Sequence, residues 1–253
     1  MKQFEGKVVL ITGASSGFGE EAAKEFAQQG AKLILMARRY DRLKKLAASL
    51  SVPCLLIEAD VRDCDLIASK TAEIEAFGIP DILINNAGLS RSMSKVWETD
   101  LRDWNEMLDT NVKGLLNVTK VITPLMLRQN RGLIINVGST SSHGVYPGGG
   151  VYCASKYAVR AITDTLRLEF LGTPLKVSLI SPGMAKTEFS KVRFHGNEEQ
   201  AEKTYEGVDP LTPADVVEAM LFIATRPEHV NVGDLILYSK SQASSMNIYR
   251  RPK

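Results

Sequence analysis

The chain of 253 residues alternates short apolar segments with longer amphipathic patterns, and this alternation restricts the possible folds more than any other feature. Seven segments of four to six residues are almost continuously apolar, as is typical of strands that helices cover on both faces. The segments between them carry apolar residues at helical spacing. Because consecutive parallel strands need a crossover connection, the pattern predicts an α/β fold with helices on both faces of a parallel sheet. A hydrophobic fraction of 44% is sufficient for a core of that size.

The predicted strands recur along the chain, and the predicted helices fill the gaps between them. In chain order the strands are Val8–Thr12, Lys32–Ala37, Cys54–Glu58, Ile82–Asn85, Leu133–Gly138, Lys176–Ser181 and Asp234–Tyr238. The helices are Glu20–Gln29, Asp41–Leu50, Asp65–Phe77, Leu101–Arg128, Tyr152–Leu171 and Pro213–Thr225. No linker, repeat or low-complexity run interrupts the pattern. We therefore expect residues 1–253 to form a single Rossmann-type domain with a doubly wound, seven-stranded parallel sheet.

Charge and cysteine content argue against several classes of protein. The chain has 31 Lys and Arg against 29 Asp and Glu, and a net charge of +2 gives no reason to expect nucleic acid or a membrane as a partner. The three cysteines lack metal-ligand spacing and the three histidines are scattered, so we expect free thiols, a reducing compartment and no metal. The sequence has no signal-peptide pattern and no apolar run near the roughly 20 residues that cross a bilayer, so the expected location is the cytoplasm.

A glycine-rich turn, with the pattern G-x-x-x-G-x-G, follows the first predicted strand and opens a helix. Glycines allow a tight turn and a close approach of backbone to a pyrophosphate, while the helix N-terminus offers N–H groups and a positive dipole end. Such a turn can be a plain connection, but its place after the first strand favours dinucleotide binding. The residues predicted to contact the cofactor here are Gly13, Ser15, Ser16, Gly17, Phe18 and Gly19.

The end of the second strand distinguishes between the two nicotinamide dinucleotides. An acidic residue at this place would bind the ribose 2′-hydroxyl of NAD. The chain has Arg38 and Arg39 instead, and two guanidinium groups can bind a 2′-phosphate through charge-assisted hydrogen bonds. We therefore predict NADP(H) as the cofactor, the alternative being a pair of solvated surface arginines.

Tyr152 and Lys156 are four residues apart in a predicted helix and should share a face. A cation beside a phenol lowers its pKa from about 10 and makes it a usable general acid and base. Ser139 lies upstream and could hold a carbonyl oxygen next to the phenol. The spacing also arises by chance on solvated helices, so its meaning depends on the other motifs. Cys153 falls on another face, and we do not expect it to be a nucleophile.

Taken together, these motifs resemble the short-chain dehydrogenase/reductase family over nearly the whole chain. The segment Asn85-Asn86-Ala87-Gly88, the set Asn111, Ser139, Tyr152 and Lys156, and Pro182-Gly183 followed by Thr187 stand in the family's order. The resemblance implies a homotetramer and a cofactor site that extends beyond the glycine turn and the two arginines. The further contacts that it implies are Asp60, Val61, Asn86, Ala87, Gly88, Tyr152, Lys156, Pro182, Gly183, Met184 and Thr187.

The resemblance also implies a role for each catalytic residue. Tyr152 would exchange a proton with the substrate oxygen, Ser139 would orient that oxygen, and Lys156 would lower the Tyr152 pKa and bind the nicotinamide ribose. Asn111 would hold a water of a proton relay, the alternative being a buried polar residue that caps local backbone. Asp60 would contact the adenine, cap the next helix, or do both.

The segment from Met184 to Val208 is long, charged and weakly periodic, and it follows a strand at the edge where open α/β sheets bind ligands. We interpret it as a substrate lid, the alternative being a surface insertion. Arg193 on this segment is the first candidate to bind a substrate carboxylate, because a guanidinium binds such groups bidentately. It could equally be a surface or interface residue. Lys186, Lys191 and Arg91 are weaker candidates.

A narrower similarity to the NADP-dependent 3-hydroxy acid dehydrogenases implies a small anionic substrate such as serine, allo-threonine or 3-hydroxypropionate, or its carbonyl form. The alternatives are a sulfoacetaldehyde reductase, a broad carbonyl reductase, and a non-catalytic NADP(H)-binding regulator. The basic tail Ser241–Lys253 is either a disordered end or a segment that packs against another subunit and completes its pocket.

Overall fold

The seven predicted strands form one parallel sheet in a computed structural model that describes residues 2–252. Met1 and Lys253, the ends of the predicted domain and tail, lie outside the described residues. The strands are β1 Val8–Thr12, β2 Lys32–Ala37, β3 Cys54–Glu58, β4 Ile82–Asn85, β5 Gly132–Val137, β6 Leu175–Pro182 and β7 Asp234–Leu237. The first four have the predicted bounds, β5 and β6 differ from them by one residue at each end, and β7 ends one residue earlier. The predicted doubly wound, Rossmann-type fold is confirmed.

The strand order is β3-β2-β1-β4-β5-β6-β7, so the chain changes direction of travel across the sheet between β3 and β4. The loops that follow β1 and β4 therefore leave the sheet side by side. A crevice at such a switch point is where open α/β sheets bind ligands.

Ten α-helices surround the sheet or cover its carboxyl edge in the described chain. They are α1 Gly17–Gln28, α2 Tyr40–Ala48, α3 Cys64–Ser69, α4 Thr71–Phe77, α5 Leu101–Leu108, α6 Leu115–Arg128, α7 Gly150–Glu169, α8 Phe189–Arg193, α9 Glu198–Lys203 and α10 Pro213–Ala224. Two predicted helices were too long. The predicted helix Asp65–Phe77 is divided at Lys70, where the hydroxyls of Ser69 and Thr71 bond to the carbonyls of the preceding turn and compete with helix hydrogen bonds.

The second over-long prediction, Leu101–Arg128, is interrupted by a π-helical segment at Asp109–Gly114. Such segments add a residue to a helical turn and are frequent at functional sites. Here the segment carries Asn111. A side chain on Gly114 would come within 2.5 Å of a Val61 methyl group, so the segment packs closely against the loop after β3.

Alternate residues of each central strand enter two apolar cores, one on each face of the sheet. In β1, Val9 and Ile11 pack on the face covered by α1 and α10, while Val8 and Leu10 pack on the face covered by α6. This covering of both faces explains why the strands are continuously apolar. No helix within residues 2–252 is long and apolar enough to cross a membrane.

A chain of buried polar side chains crosses the sheet beneath the carboxyl edge. Asn85 of β4 donates to Thr119 of α6 at 3.1 Å and to its register partner Asn136 of β5 at 2.9 Å. Asn136 in turn donates to Thr163 of α7 at 2.9 Å. Because a register shift would break these hydrogen bonds, the row of polar side chains fixes the position of α7 relative to the end of β5.

Candidate active site

A cavity of about 680 Å³ lies at the carboxyl edge of the sheet, a volume in the range of cofactor and substrate sites. Loops after five strands, the segment 184–208 and the C-terminal tail line it. Most residues predicted for the site line the cavity. Gly19 and Asn111 do not and are buried, and the three weaker candidates for carboxylate binding also lie outside the lining.

The glycine turn and the loop after β4 are joined into one cradle. Gly13 has a positive φ of 65°, and a side chain there would lie 3.0 Å from the Asn86 amide nitrogen. A side chain on Gly19 would lie 2.5 Å from the Gly13 carbonyl oxygen. The Asn86 side chain donates to the Thr12 carbonyl at 2.9 Å, and the Thr12 hydroxyl accepts from the backbone of Asn86 and Ala87 at 3.0 Å each. The result is a groove at the N-terminus of α1 in which the glycines leave room for close approach to the backbone, and it fits a pyrophosphate.

The residues after β2 surround this groove with positive charge. Arg39 donates from Nε to the Ser15 hydroxyl at 3.1 Å and from Nη2 to the Ser16 hydroxyl at 2.7 Å. Arg38 is 56% exposed in its side chain and lies 3.8 Å from the Asp60 carboxylate. Two guanidinium groups and two hydroxyls beside a glycine cradle are a donor set that fits the 2′-phosphate of NADP(H).

Asp60 lines the cavity but does not cap the next helix. Asp63 has that role, since its carboxylate accepts from the backbone N–H of Leu66 at the start of α3. The helix-cap alternative for Asp60 is therefore wrong. Partial burial raises the pKa of Asp60, but hydrogen bonds from Arg62 outweigh this and lower it below the usual value.

Ser139, Tyr152 and Lys156 converge at the inner end of the cavity. Tyr152 lies in the first turn of α7 and is 7% exposed. Ser139 follows β5, and its hydroxyl accepts from the Ser141 backbone N–H at 3.0 Å. Lys156 lies one helical turn after Tyr152, 5.9 Å from the centroid of its ring, and donates to the Val137 carbonyl at 2.8 Å. The predicted sharing of one helix face is thus present.

The electrostatics of Tyr152 differ from the prediction. Burial raises the pKa of Tyr152 well above its usual value, and Tyr146 adds to this effect. The largest opposing contributions come from Arg193 and from a hydrogen bond with Ser139, whereas the sequence pointed to Lys156. Burial lowers the pKa of Lys156 itself to about 8.

Asn111 organises the wall behind these residues. Its side-chain oxygen accepts from the Leu89 backbone N–H and its amide donates to the Leu89 carbonyl, both at 2.8 Å. The amide also donates to the Ser155 hydroxyl at 3.0 Å. These are the bonds that the backbone-capping alternative describes. A side chain on Gly88 would lie 3.2 Å from the Asn111 oxygen and 3.6 Å from the Lys156 ammonium, so Asn111 and Lys156 flank the same glycine.

Arg193, at the end of α8, lies directly beside Tyr152. Its guanidinium carbon is 5.3 Å from the Tyr152 ring centroid and 5.1 Å from that of Phe189. Its Nη2 donates to the Tyr146 hydroxyl at 3.3 Å. Its Nε is buried and has no hydrogen-bond partner among the described residues. The group therefore places a positive charge next to Tyr152 at the wall of the cavity.

The weaker cation candidates are all engaged by acidic neighbours. Lys186 pairs with Glu202, Lys191 with Glu198, and Arg91 with Glu106. The Arg91 guanidinium also donates to the Val192 carbonyl, so it supports α8 from below. Sequence reasoning had no means to separate these cations from Arg193, because their partners are 7 to 16 residues away along the chain.

The C-terminal tail contributes contacts that the sequence did not predict. Gln242 accepts from the Met184 backbone N–H at 2.7 Å, and Ser245 donates to the Thr140 carbonyl at 2.9 Å. Further on, Arg250 donates to the Thr204 carbonyl at 3.1 Å and the Arg251 N–H donates to the Gly207 carbonyl at 2.8 Å. The structure places the tail against its own chain and against the segment 184–208. A contact with a neighbouring subunit stays a prediction.

Among residues 2–252, no cysteine or histidine lines the cavity. Cys54, Cys64 and Cys153 are free thiols. His143 lies 3.1 Å from the Ser181 hydroxyl and 3.3 Å from the Asp234 carboxylate. Within residues 2–252, no group of three or more His, Cys, Asp or Glu side chains could hold a metal ion.

Comparison with known proteins identifies the family. The sequence profile of the short chain dehydrogenase family matches residues 7–198. The NADP-dependent 3-hydroxy acid dehydrogenase of Schizosaccharomyces pombe is 38% identical over 257 residues, which cover 99% of each chain. Sulfoacetaldehyde reductase 2 of Chromohalobacter salexigens is 43% identical over 242 residues, which cover 94% of this chain and 96% of the relative.

A solved structure agrees with this grouping. The closed form of serine dehydrogenase complexed with NADP+ is 41% identical, and it superposes with a TM-score of 0.92 over 96% of this chain and 100% of that chain. The profile match covers well over half of the sequence, and the relatives are aligned along nearly their whole lengths. The chain therefore belongs to the short chain dehydrogenase family, as its motifs predicted.

Proposed function

We propose that the protein interconverts a small 3-hydroxy acid and its carbonyl form, with NADP(H) as the redox partner. Two broader predictions are confirmed by the comparisons: the protein is an oxidoreductase that acts on CH–OH groups, and its cofactor is NADP(H). The observation that carries the finer proposal is the position of Arg193. A guanidinium that lines the cavity next to the proposed general acid and base is a site for an anionic substrate group.

The proposed chemistry assigns one task to each residue of the site. Bound NADP(H) supplies or accepts the hydride. In the oxidation direction Tyr152, as phenolate, takes the proton of the substrate hydroxyl, and in reduction it returns a proton to the forming alkoxide. Ser139 orients the substrate oxygen and stabilises the charge that develops on it. Asn111 keeps the loop at Leu89 in place behind Lys156, so we assign it a positioning role.

The proposed cofactor contacts are assigned from the positions of the residues that line the groove. The glycine turn and the loop after β4 would hold the pyrophosphate, while Arg38 and Arg39 with Ser15 and Ser16 would hold the 2′-phosphate. The loop after β6, from Pro182 to Thr187, lines the same cavity and would cover the nicotinamide end. Lys156 would bind the nicotinamide ribose from its position below Gly88.

Arg193 is the residue that would make the site prefer an acid substrate over a neutral one. A carboxylate bound by its guanidinium would place the hydroxyl a few atoms away near Tyr152, which suits a short chain. The rings of Tyr146 and Phe189 flank the guanidinium and limit the space for a larger substrate. We assign the segment 184–208 as the substrate lid, since it carries both Arg193 and Phe189 into the cavity.

The second candidate function is sulfoacetaldehyde reduction. It is favoured by the relative of Chromohalobacter salexigens, whose identity of 43% exceeds that of the Schizosaccharomyces pombe protein. A sulfonate is an anion of similar size to a carboxylate, and the same guanidinium could bind it. A broad carbonyl reductase would need no anion site, and the position of Arg193 speaks against it.

Initial rates of NADP+ reduction with L-serine, L-allo-threonine, 3-hydroxypropionate, 3-hydroxyisobutyrate and isethionate test the proposal. We expect turnover of one or more of the hydroxy acids and little of isethionate. The reverse order would move the assignment to the sulfonate enzyme. Preference for a neutral alcohol would support a broad carbonyl reductase. NADPH binding without turnover of any substrate would identify a regulator.

We further propose a homotetramer, as the family resemblance implies. Trp97 and Leu101 are 78% and 66% exposed near α5, and the edge strand β7 exposes Ile236 at 42%. Exposed apolar residues on separate faces suit two kinds of subunit contact. Light scattering coupled to size-exclusion chromatography tests the assembly. The cytoplasmic location stays a prediction.

A further inference from the structure

Glu188 connects the lid segment 184–208 to residues on the other side of the cofactor groove. Its carboxylate accepts from Arg39 Nη1 at 3.0 Å and from Arg42 Nη1 at 2.7 and 2.9 Å. Arg39 follows β2, and Arg42 lies in α2. Glu188 and these arginines are 149 and 146 residues apart along the chain, so the contact joins two distant elements.

This ion-pair bridge passes over the glycine turn. The other nitrogens of Arg39 hold the hydroxyls of Ser15 and Ser16 in that turn. Next to Glu188, the Thr187 side chain lies 3.5 Å from the position that a side chain on Gly17 would take. The start of the lid segment therefore lies on the groove that fits the pyrophosphate, and Glu188 closes the groove toward α2.

The charges around Glu188 remain positive overall. One carboxylate faces Arg39 and Arg42, while Arg38 lies on the Asp60 side of the groove. Partial burial raises the pKa of Glu188, but hydrogen bonds from Arg42 and Arg39 outweigh this and lower it, so the group is ionised at neutral pH. Arg42 can hold Glu188 while Arg38 and Arg39 remain near a 2′-phosphate.

We propose that Glu188 is a latch that holds the lid segment over NADP(H) and slows release of the cofactor. The inference depends on NADP(H) binding in this groove and not on the identity of the substrate. The three side chains are 42 to 47% exposed, so the pairs are individually weak. A weak latch suits a lid that must open in every catalytic cycle.

Stopped-flow fluorescence tests the latch by displacing NADPH from the full-length protein with excess NADP+. Glu188→Gln keeps the shape of the side chain and removes its charge, and we expect dissociation about five- to tenfold faster, the effect of two exposed ion pairs. Arg42→Gln should accelerate release less, because Arg39 still holds Glu188. The double variant should release NADPH no faster than Glu188→Gln alone. The matched control is Glu199→Gln, which removes an exposed lid pair with Lys203 inside α9 and leaves the surroundings of Glu188 unchanged.

Hydrogen exchange in the cofactor-free protein gives a second, independent readout. We expect faster exchange across residues 184–208 in Glu188→Gln than in the parent and in Glu199→Gln. Unchanged NADPH release together with unchanged exchange would overturn the latch. Slower release would also overturn it, because Glu188 would then act by repelling the cofactor phosphates. Failure of the parent protein to bind NADPH would overturn the cofactor assignment instead.

Discussion

Replacing Arg193 by methionine should separate its two effects, one on substrate binding and one on Tyr152. Methionine keeps an apolar stem of similar length against the rings of Phe189 and Tyr152 but removes the guanidinium. A charge-assisted hydrogen bond contributes about 1.5–3 kcal/mol, and about 1.4 kcal/mol corresponds to a factor of ten. KM for a 3-hydroxy acid should therefore rise about 10- to 150-fold, while KM for a neutral alcohol should change little.

The second effect of Arg193→Met is on the pH dependence. Burial raises the pKa of Tyr152 and the Arg193 charge lowers it, so loss of that charge raises the pKa further. In the proposed mechanism of alcohol oxidation Tyr152 is the base and must be deprotonated. The rise of kcat/KM with pH should therefore move to higher pH, and it should do so with a neutral alcohol as well.

The assay is NADP+ reduction from neutral to alkaline pH, with a 3-hydroxy acid and with a neutral alcohol. Arg193→Lys is the matched variant, because it keeps the charge and loses the planar fork. It should retain the parent pH profile and lose part of the affinity for acids. An equal rise in KM for acids and neutral alcohols would refute the anion site, and an unchanged pH profile in Arg193→Met would refute the electrostatic effect.

Three further predictions follow from the site. Tyr152→Phe should abolish turnover and leave NADPH binding, measured by fluorescence titration, nearly unchanged; appreciable residual activity would reject Tyr152 as the proton donor and acceptor. Arg38→Asp should shift the preference toward NAD(H), and unchanged NADP(H) affinity would contradict the 2′-phosphate assignment. Lys156→Met should be inactive but more stable at neutral pH, because burial lowers the Lys156 pKa from 10.5 to about 8. That pKa difference corresponds to about 3 kcal/mol of stability, and loss of the hydrogen bond to the Val137 carbonyl offsets part of it. We therefore expect urea unfolding to show a free energy of unfolding about 1–3 kcal/mol higher in Lys156→Met than in the parent. The unfolded parent protein binds the Lys156 proton more tightly than the folded protein does, so the parent becomes more stable as pH rises from about 8 toward 10.5. The stability difference between Lys156→Met and the parent should therefore disappear near pH 10.5.

The strands were predictable because a strand that is buried on both faces has apolar residues at consecutive positions, and such a run is visible in the local sequence. The meeting of Ser139, Tyr152 and Lys156 at one cavity was predictable because Tyr152 and Lys156 are close in sequence and the motifs resemble a known family. The π-helical segment around Asn111 was not, because the spacing of apolar residues does not show where a helical turn takes up an extra residue. The environment of Tyr152 was predicted only in part. Arg193 reaches it through a helix 41 residues further along the chain, and no short-range pattern records that contact.

The joining of the C-terminal tail to the lid has a consequence for engineering. Arg250 and Arg251 bond to backbone carbonyls at Thr204 and Gly207, so their fit depends on the path of the lid rather than on its side chains. Gln242 holds Met184 at the other end of the same segment. In a chimera that takes a lid of different length from a relative but keeps the tail of this protein, the tail donors would lose their carbonyl acceptors. Transfer of substrate preference between relatives should therefore succeed when residues 184–208 and 241–252 are exchanged as one cassette.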